Sequence, residues 1–291
     1  MEQAVANILI AAARYGLTAV GLSIIYRVTR CLDFAQGAAY AVGAYLSYVF
    51  SQRIGLSLFA AIPLAALSCS ALGGCLDWGL YRRLRRRQGG PLAVLVASLG
   101  VLVIVENSLV LIFGDITYGL RRGAVSAGWS VLGARITTYQ LILIVIAAGL
   151  YVAYAAAIRK SRSGLAVDAV AADHELAAVV GIPVGSVYIA TAMIGAWLSG
   201  LAGGLISLEV DMQPAIGTEA LLIAVLVTIA GGSGKIVGPV FASAVFASID
   251  ILSAACGAYL WRQAIAFAGL VVFLVLRHMK AAGVSRREAH V

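Results

Sequence analysis

The sequence predicts an all-α, polytopic membrane protein, and three observations carry that reading. Of its 291 residues, 62% are hydrophobic and only 12% charged, about half the charged fraction of soluble domains. Mean hydropathy is +0.98. Several apolar runs approach the ~20 residues with which a helix crosses the hydrocarbon core of a bilayer, and they are continuous rather than alternating as barrel strands would be.

Apolar runs between polar breaks predict spans near 7–27, 35–53, 57–80, 92–113, 137–158, 185–208, 217–231, 236–258 and 262–278. These make eight to nine transmembrane helices in a single domain over 1–291. Some are expected to be broken or partial, because 217–231 is short for a full crossing. The first run, MEQAVANILIAAARYGLTAVGL, has no basic segment before its apolar stretch and reads as a span rather than a signal peptide.

The second run, LDFAQGAAYAVGAY (32–45), opens on a charge and then places small residues at Ala35, Gly37, Ala38, Ala41 and Gly43. Small residues let helices approach closely in a membrane. A break ahead of such a helix also leaves free backbone groups and a positive end, a device transporters use to hold charged or zwitterionic substrates. Asp33, Phe34, Gln36 and Gly37 are therefore pathway candidates, with tight packing alone as the equal alternative. Residues 234–245 echo the pattern and suggest two related halves. They add Gly232, Gly234 and Gly238 to the candidates.

Polar groups inside spans are costly and tend to face a cavity or a partner. Arg14, Glu106, Asn107 and Asp250 are the instances. Glu106 and Asn107, mid-span in VLVIVENSLVLIF, are the strongest pathway candidates, a helix–helix hydrogen bond being the alternative. Asp33 and Asp77, at the membrane edge, are expected to pair with arginines such as Arg30 or Arg82. Cys31, Cys69, Cys75 and Cys256 match neither a metal nor a disulfide pattern and read as small apolar filler.

The net charge of +8 points to loop asymmetry rather than to nucleic acid, because Lys and Arg accumulate in cytoplasmic loops. YRRLRRRQGG (81–90) carries five arginines and places that loop in the cytoplasm. Alternation then collects 15 of the 21 Lys and Arg residues on the same side, with Arg27, Arg30, segment 159–184, Lys235 and the C-terminal tail. The N-terminus faces outward and the C-terminus inward.

Segment 159–184 is thus a cytoplasmic loop containing DHELAAVVGI (173–182). Leu165, Ala169, Ala172, Leu176 and Val180 recur at helical steps. Gly164 is expected to break the preceding helix, Gly181 to end the stripe, and Ser186 to cap the next span. One or two short helices result, suited either to entering a partner's groove or to serving as an interfacial linker.

SGLAVDAVAADHELAAVVGIPVGSVYIATAMIGAWLSGLAGGL resembles the cytoplasmic coupling loop and following span of ABC-importer permeases for branched-chain amino acids. Gly164, Asp173, Glu175, Ala177, Gly181, Ile182, Leu201, Ala202 and Gly203 carry the likeness. RYGLTAVGLSIIYRVTRCLDFAQGAAYAVGAYLS resembles that family's opening, and AGGSGKIVGPVFASAVFASID a glycine segment shared with related sugar permeases. Together they cover roughly 14–278, leaving 114–136 unmatched. The chain departs from the family pattern at Asp33 and Gln36, where Asn and His are usual, and at Ala38, where an acid is usual.

The resemblance implies a type II ABC-importer-like permease in a bacterial inner membrane. It implies two cytosolic ATPase partners that use ATP and Mg, a second and non-identical permease subunit, and an extracytoplasmic solute-binding protein. The coupling residues it implies are Gly164, Asp173, Glu175, Ala177, Gly181 and Ile182, to which Ala171 and Ala178 are added because their small side chains suit entry into a groove. No cofactor is expected on this chain: no Gly-x-x-x-x-Gly-Lys-Ser/Thr occurs, and GGSGK (231–235) lacks the loop length and the hydroxyl residue. No catalytic group or metal cluster is evident, so no enzyme is expected. Alternatives are the same scaffold moving urea or short amides, or an ion-coupled transporter using Glu106 and Asp250. The orientation is checked by cysteine labelling. Gln88→Cys reacts only with reagents that reach the cytoplasm, and labelling from outside intact cells by an impermeant reagent overturns the span assignment.

Overall fold

The computed structural model describes residues 2–87, 89–120, 129–131, 134–232 and 237–255, with 264, 265, 267–269, 271 and 272 beyond them. Among the described residues the architecture is helical apart from one short ribbon, in keeping with the composition. Helices α1 (Glu2–Thr29), α2 (Ala35–Tyr48), α3 (Leu58–Leu76), α5 (Pro91–Phe113), α6 (Thr138–Lys160), α9 (Val184–Ile206), α10 (Ile216–Gly231) and α11 (Val237–Ala255) follow the predicted spans within a few residues. Among the described residues five stretches are long and apolar enough to cross a bilayer, while α10 and α11 are shorter apolar helices. Of the predicted ninth span, 262–278, only residues 264, 265, 267–269, 271 and 272 are described, and its course lies outside the described residues.

Two spans end differently from expectation. α2 stops at Tyr48 and passes into a wider π-turn over Val49–Arg53. α3 passes through a π-turn over Asp77–Tyr81 into α4 (Arg82–Arg86), so most of the expected arginine loop is helix. Arginine is a good helix former, and the helix ends only as Gly89 and Gly90 approach. The other departure is a short antiparallel ribbon, β1 (Trp129–Val131) with β2 (Ala134–Ile136), in the segment for which the sequence offers no likeness.

The core forms around α2 and α9. α9 packs against α3, α2 and α1, and α1 also packs against α10 and α11. Lipid tails are as apolar as leucine, so helices in a membrane associate through close packing and polar bonds rather than apolar burial. α9 meets that need with glycines in LSGLAGGL. A Cβ added at Gly203 would strike the carbonyl of Tyr40, and one at Gly43 would strike Gly200. The backbones of α2 and α9 therefore touch. α5 and α6 lie at the periphery and leave most of their apolar surface outward, Leu111 being 87% exposed.

The charge asymmetry has a structural counterpart. Arg27 at the end of α1 pairs with Asp168 at 2.8 Å. Arg30 donates to the Ala171 carbonyl at 3.4 Å, and the Arg85 guanidinium lies 4.4 Å from the Tyr188 ring centroid. The described basic segments thus meet at one end of the bundle. At the far end Gln52 donates to the Leu120 carbonyl at 3.0 Å, and Tyr118 and Met212 exchange backbone hydrogen bonds.

The glycine contact gives a direct prediction. Gly43→Ala, which collides with Gly200, destabilises the protein by about 1–3 kcal/mol. Gly149→Ala, whose Cβ meets nothing within 4 Å, leaves the thermal midpoint in detergent unchanged or higher. Equal midpoints for the two variants would refute the close-contact account.

Candidate functional site

The most exposed built feature of the basic end is the pair α7 (Arg162–Ala172) and α8 (His174–Val179). Gly164 does not break the preceding helix, contrary to expectation. Ser161 does, in an extended conformation, and its Oγ accepts from the Gly164 N–H at 3.0 Å to cap α7. Gly164 instead lets α7 lie against α6, since a Cβ there would sit 2.5 Å from Ile158 Cα. Ser186 is no cap either: α9 opens after Pro183, and Ser186 lies in its first turn.

Asp173 separates α7 from α8. Its backbone is extended, and its Oδ1 accepts from Glu175 N at 2.8 Å and Leu176 N at 3.1 Å. The carboxylate thus caps α8, satisfying donors that a helix start leaves free. Leu165, Leu176 and Val180 of the periodic stripe are exposed by 64%, 64% and 81%. The inward contact comes from Ala177, which packs with Val28, Val170 and Val187, with Ile182 at the margin. Ala171 lends its carbonyl to Arg30. Gly181, at φ 90°, turns the chain away from α8, a conformation L side chains seldom adopt. Glu175, Leu176, Ala178, Val179 and Val180 are left facing outward as one apolar and acidic patch.

Beneath that patch lies a cavity of about 360 Å³ between α7–α8 and the bundle, bordered by Arg30, Asp33, Asp77, Tyr81, Arg85 and Tyr188. Its charges pair otherwise than expected. Asp77 takes both its bonds from Arg85, at 2.7 and 2.9 Å, rather than from Arg82. Asp33 is bonded by the Tyr81 hydroxyl at 2.7 Å and Ala35 N at 3.0 Å rather than by Arg30. Burial pushes the Asp33 carboxyl above the usual carboxylate range, against the opposing pull of those hydrogen bonds.

The pathway candidates do not converge on one site. Asp33 and Gln36 are buried at the start of α2, and Gln36 Oε1 accepts from the Ser199 hydroxyl at 2.8 Å. Phe34 N donates to Ser98 Oγ at 3.0 Å, and Gly37 lies against the Gly217 carbonyl. Glu106, on the far half of α5, accepts at Oε1 from Thr218 N at 3.2 Å and Thr218 Oγ1 at 2.6 Å. It ties α5 to the first turn of α10, where a carboxylate also suits the helix dipole. Asn107 is exposed and bonds back to the Val103 carbonyl of its own helix at 2.7 Å. Gly232, at φ 80°, ends α10, and Gly238 meets the Gly231 backbone. Gly234 lies outside the described residues. The sequence reading missed Tyr81, Ser98, Ser199 and Thr218. Each is a common residue in a helical run, and its partner lies 48 to 163 positions away.

The chain resembles known proteins over most of its length. A family model described as a branched-chain amino acid transport system, permease component, matches residues 4–276. The high-affinity branched-chain amino acid transport system permease protein LivH of Escherichia coli K12 is 28% identical over 280 residues, covering 90% of this chain and 89% of LivH. BraD of Pseudomonas aeruginosa, a permease protein of the same description, is 25% identical over 288 residues, covering 94% of this chain and 93% of its own. Among solved structures, PsaBC from Streptococcus pneumoniae in complex with Fab superposes with a TM-score of 0.51 at 14% identity. That match covers 93% of this chain and 89% of the other, and it bears on the fold alone.

The Glu106–Thr218 bond yields a test of what Glu106 does. Glu106→Ala lowers stability by about 0.6–2 kcal/mol, the range for an interhelical bond or a lost helix cap, and leaves solute uptake near wild type. Reduced uptake at unchanged thermal stability would instead put Glu106 on the pathway.

Proposed function

Because the chain belongs to the family of branched-chain amino acid transport permeases, we propose that it is the membrane subunit of an ATP-driven importer of branched-chain or similar amino acids. In this reading the chain forms part of the translocation pathway and hydrolyses nothing itself. Two cytosolic ATPases bind ATP and Mg and dock under the basic end. A second, non-identical permease subunit completes the pore, and an extracytoplasmic binding protein delivers the solute. The assembly sits in a bacterial inner membrane with the N-terminus outside and the C-terminus inside, the side that the arginine distribution favours.

The observation that carries this reading is the rigid presentation of α8. The helix has six residues, too few to hold together alone. The Asp173 cap, the Ala177 contact and the Gly181 turn hold it in place. What it presents, exposed Leu176, Val179 and Val180 beside Glu175, suits insertion into an apolar groove with a basic rim. Acidic pairing there would fix register more than affinity. Ion-coupled transport has less support, since Glu106 accepts from Thr218 and Asp250 from the Tyr15 hydroxyl at 3.0 Å. Both acids are thus engaged in helix-to-helix bonds.

The test is at Gly181. No atom lies within 4 Å of a Cβ built there, so a side chain has room and only the backbone objects. Left-handed backbone costs an L-residue roughly 1–2 kcal/mol, and Asn tolerates it better than Leu. Gly181→Leu therefore inserts stably but fails to copurify with its ATPase or to raise ATP turnover with loaded binding protein, while Gly181→Asn keeps both. Should the Leu variant bind and couple as wild type does, α7–α8 is only a linker.

A further inference from the structure

A second cavity lies away from the docking end, among α1, α2, α9 and α10. It measures about 210 Å³ and is lined by Arg14, Tyr40, Glu219, Ile206, Ile216 and Ile223 among others. Its rim holds exposed groups of the α9–α10 connection and of the first turn of α10, Val210 and Glu219, so it opens toward the far end. Neither the coupling patch nor the buried acids of the basic end contribute to it.

Two polar groups in this cavity are short of partners. A guanidinium carries five N–H donors and never loses its charge. Arg14 makes one side-chain hydrogen bond among the described residues, from Nη2 to the Tyr15 hydroxyl at 3.1 Å, and lies 5.0 Å from the Tyr15 ring centroid. No described carboxylate forms an ion pair with it. Tyr40 is 2% exposed, and among the described residues its hydroxyl has no hydrogen-bond partner, although Arg14, Glu219 and Glu209 are near enough to act on it electrostatically. A cation within a span is costly unless something polar meets it, and the Tyr40 hydroxyl lines the same cavity with a hydrogen bond to give. Glu209 and the rim carboxylate Glu219 lie near enough to act on this pair, yet among the described residues neither accepts a hydrogen bond from Arg14 or Tyr40, and an aliphatic wall stands beside them.

We propose that this cavity is a substrate site within the permease, built for a small α-amino acid with an aliphatic side chain. The carboxylate sits on the Arg14 fork and takes the Tyr40 hydroxyl, planar bidentate recognition being what a guanidinium offers. The ammonium turns toward Glu219, and the side chain lies against Ile206, Ile216 and Ile223. The inference rests on the importer reading and deepens it, placing part of the solute selectivity in the membrane subunit.

The test uses the full chain purified in detergent, with unfolding temperature as the readout, since a ligand that binds only the folded state raises it. Probes are L-leucine, L-leucinol, which lacks the carboxylate, and 4-methylpentanoate, which lacks the ammonium. Leucine raises the midpoint of the wild type by several degrees, leucinol does not, and 4-methylpentanoate acts weakly. Arg14→Gln weakens the leucine effect by roughly tenfold to a hundredfold in concentration, the range for a charged hydrogen bond, and Tyr40→Phe by less. If Arg14→Gln does not fold, the leucine–leucinol comparison on wild type and the Tyr40→Phe variant decide the matter. No shift with leucine, a cavity filled with water only, overturns the proposal, as does an equal shift with leucinol. Leucine uptake by the assembled, ATP-driven complex is measured alongside. Uptake without Arg14-dependent binding sinks this site and spares the importer, whereas Arg14-dependent binding without uptake does the reverse.

Discussion

The structure depends on the contact of two backbones, α2 against α9. In a bilayer no gain comes from hiding apolar side chains from apolar tails, so helices are held by what they can do only at close range. Gly43, Gly200 and Gly203 bring the chains to that range. Other features follow from it. Gln36 reaches the Ser199 hydroxyl because the two helices are close. Ser47 and Ile62 approach Gly204 on the same glycine face, which brings α3 into register and with it the π-turn that carries Tyr81 to Asp33.

The polar groups inside the bundle fall into two kinds. Asp33, Glu106 and Asp250 each accept a hydrogen bond from a separate stretch of chain and so join helices, whereas Asp77 is bonded by Arg85 of its own continuous helical run. Arg14 differs, since its charge is supported mainly by one tyrosine. The distinction is one of satisfaction rather than of residue type. The sequence pattern ranks the mid-span Glu106 above the equally mid-helix Arg14, and the network reverses that order.

Much of the fold was legible because spans are set by continuous apolar length, which a sequence states directly. α1, α5, α6 and α9 begin and end close to the predicted positions for that reason. The basic end was legible too, since Arg27, Arg30, Arg85 and the 159–184 segment belong together by charge and meet in space. What escaped were the π-turns at Val49–Arg53 and Asp77–Tyr81, which leave no pattern in an apolar run, and every polar pair joined across distant positions. Leu165 and Leu176 of the periodic stripe face outward from two helices that the Asp173 cap separates. Periodicity shows that a face exists. It does not show which medium or partner that face meets.

One consequence concerns slack. Between Thr138 and Ile206 the chain is helical except at Ser161, at Asp173 and over Val180–Pro183. α6, α7 and α8 are therefore bars joined by single-residue hinges, with no spare contour to absorb an inserted residue. An extra amino acid at Ser161 or Asp173 would swing α8 about its neighbours by a large angle. Tolerance to length change is therefore low where the molecule meets its proposed engine.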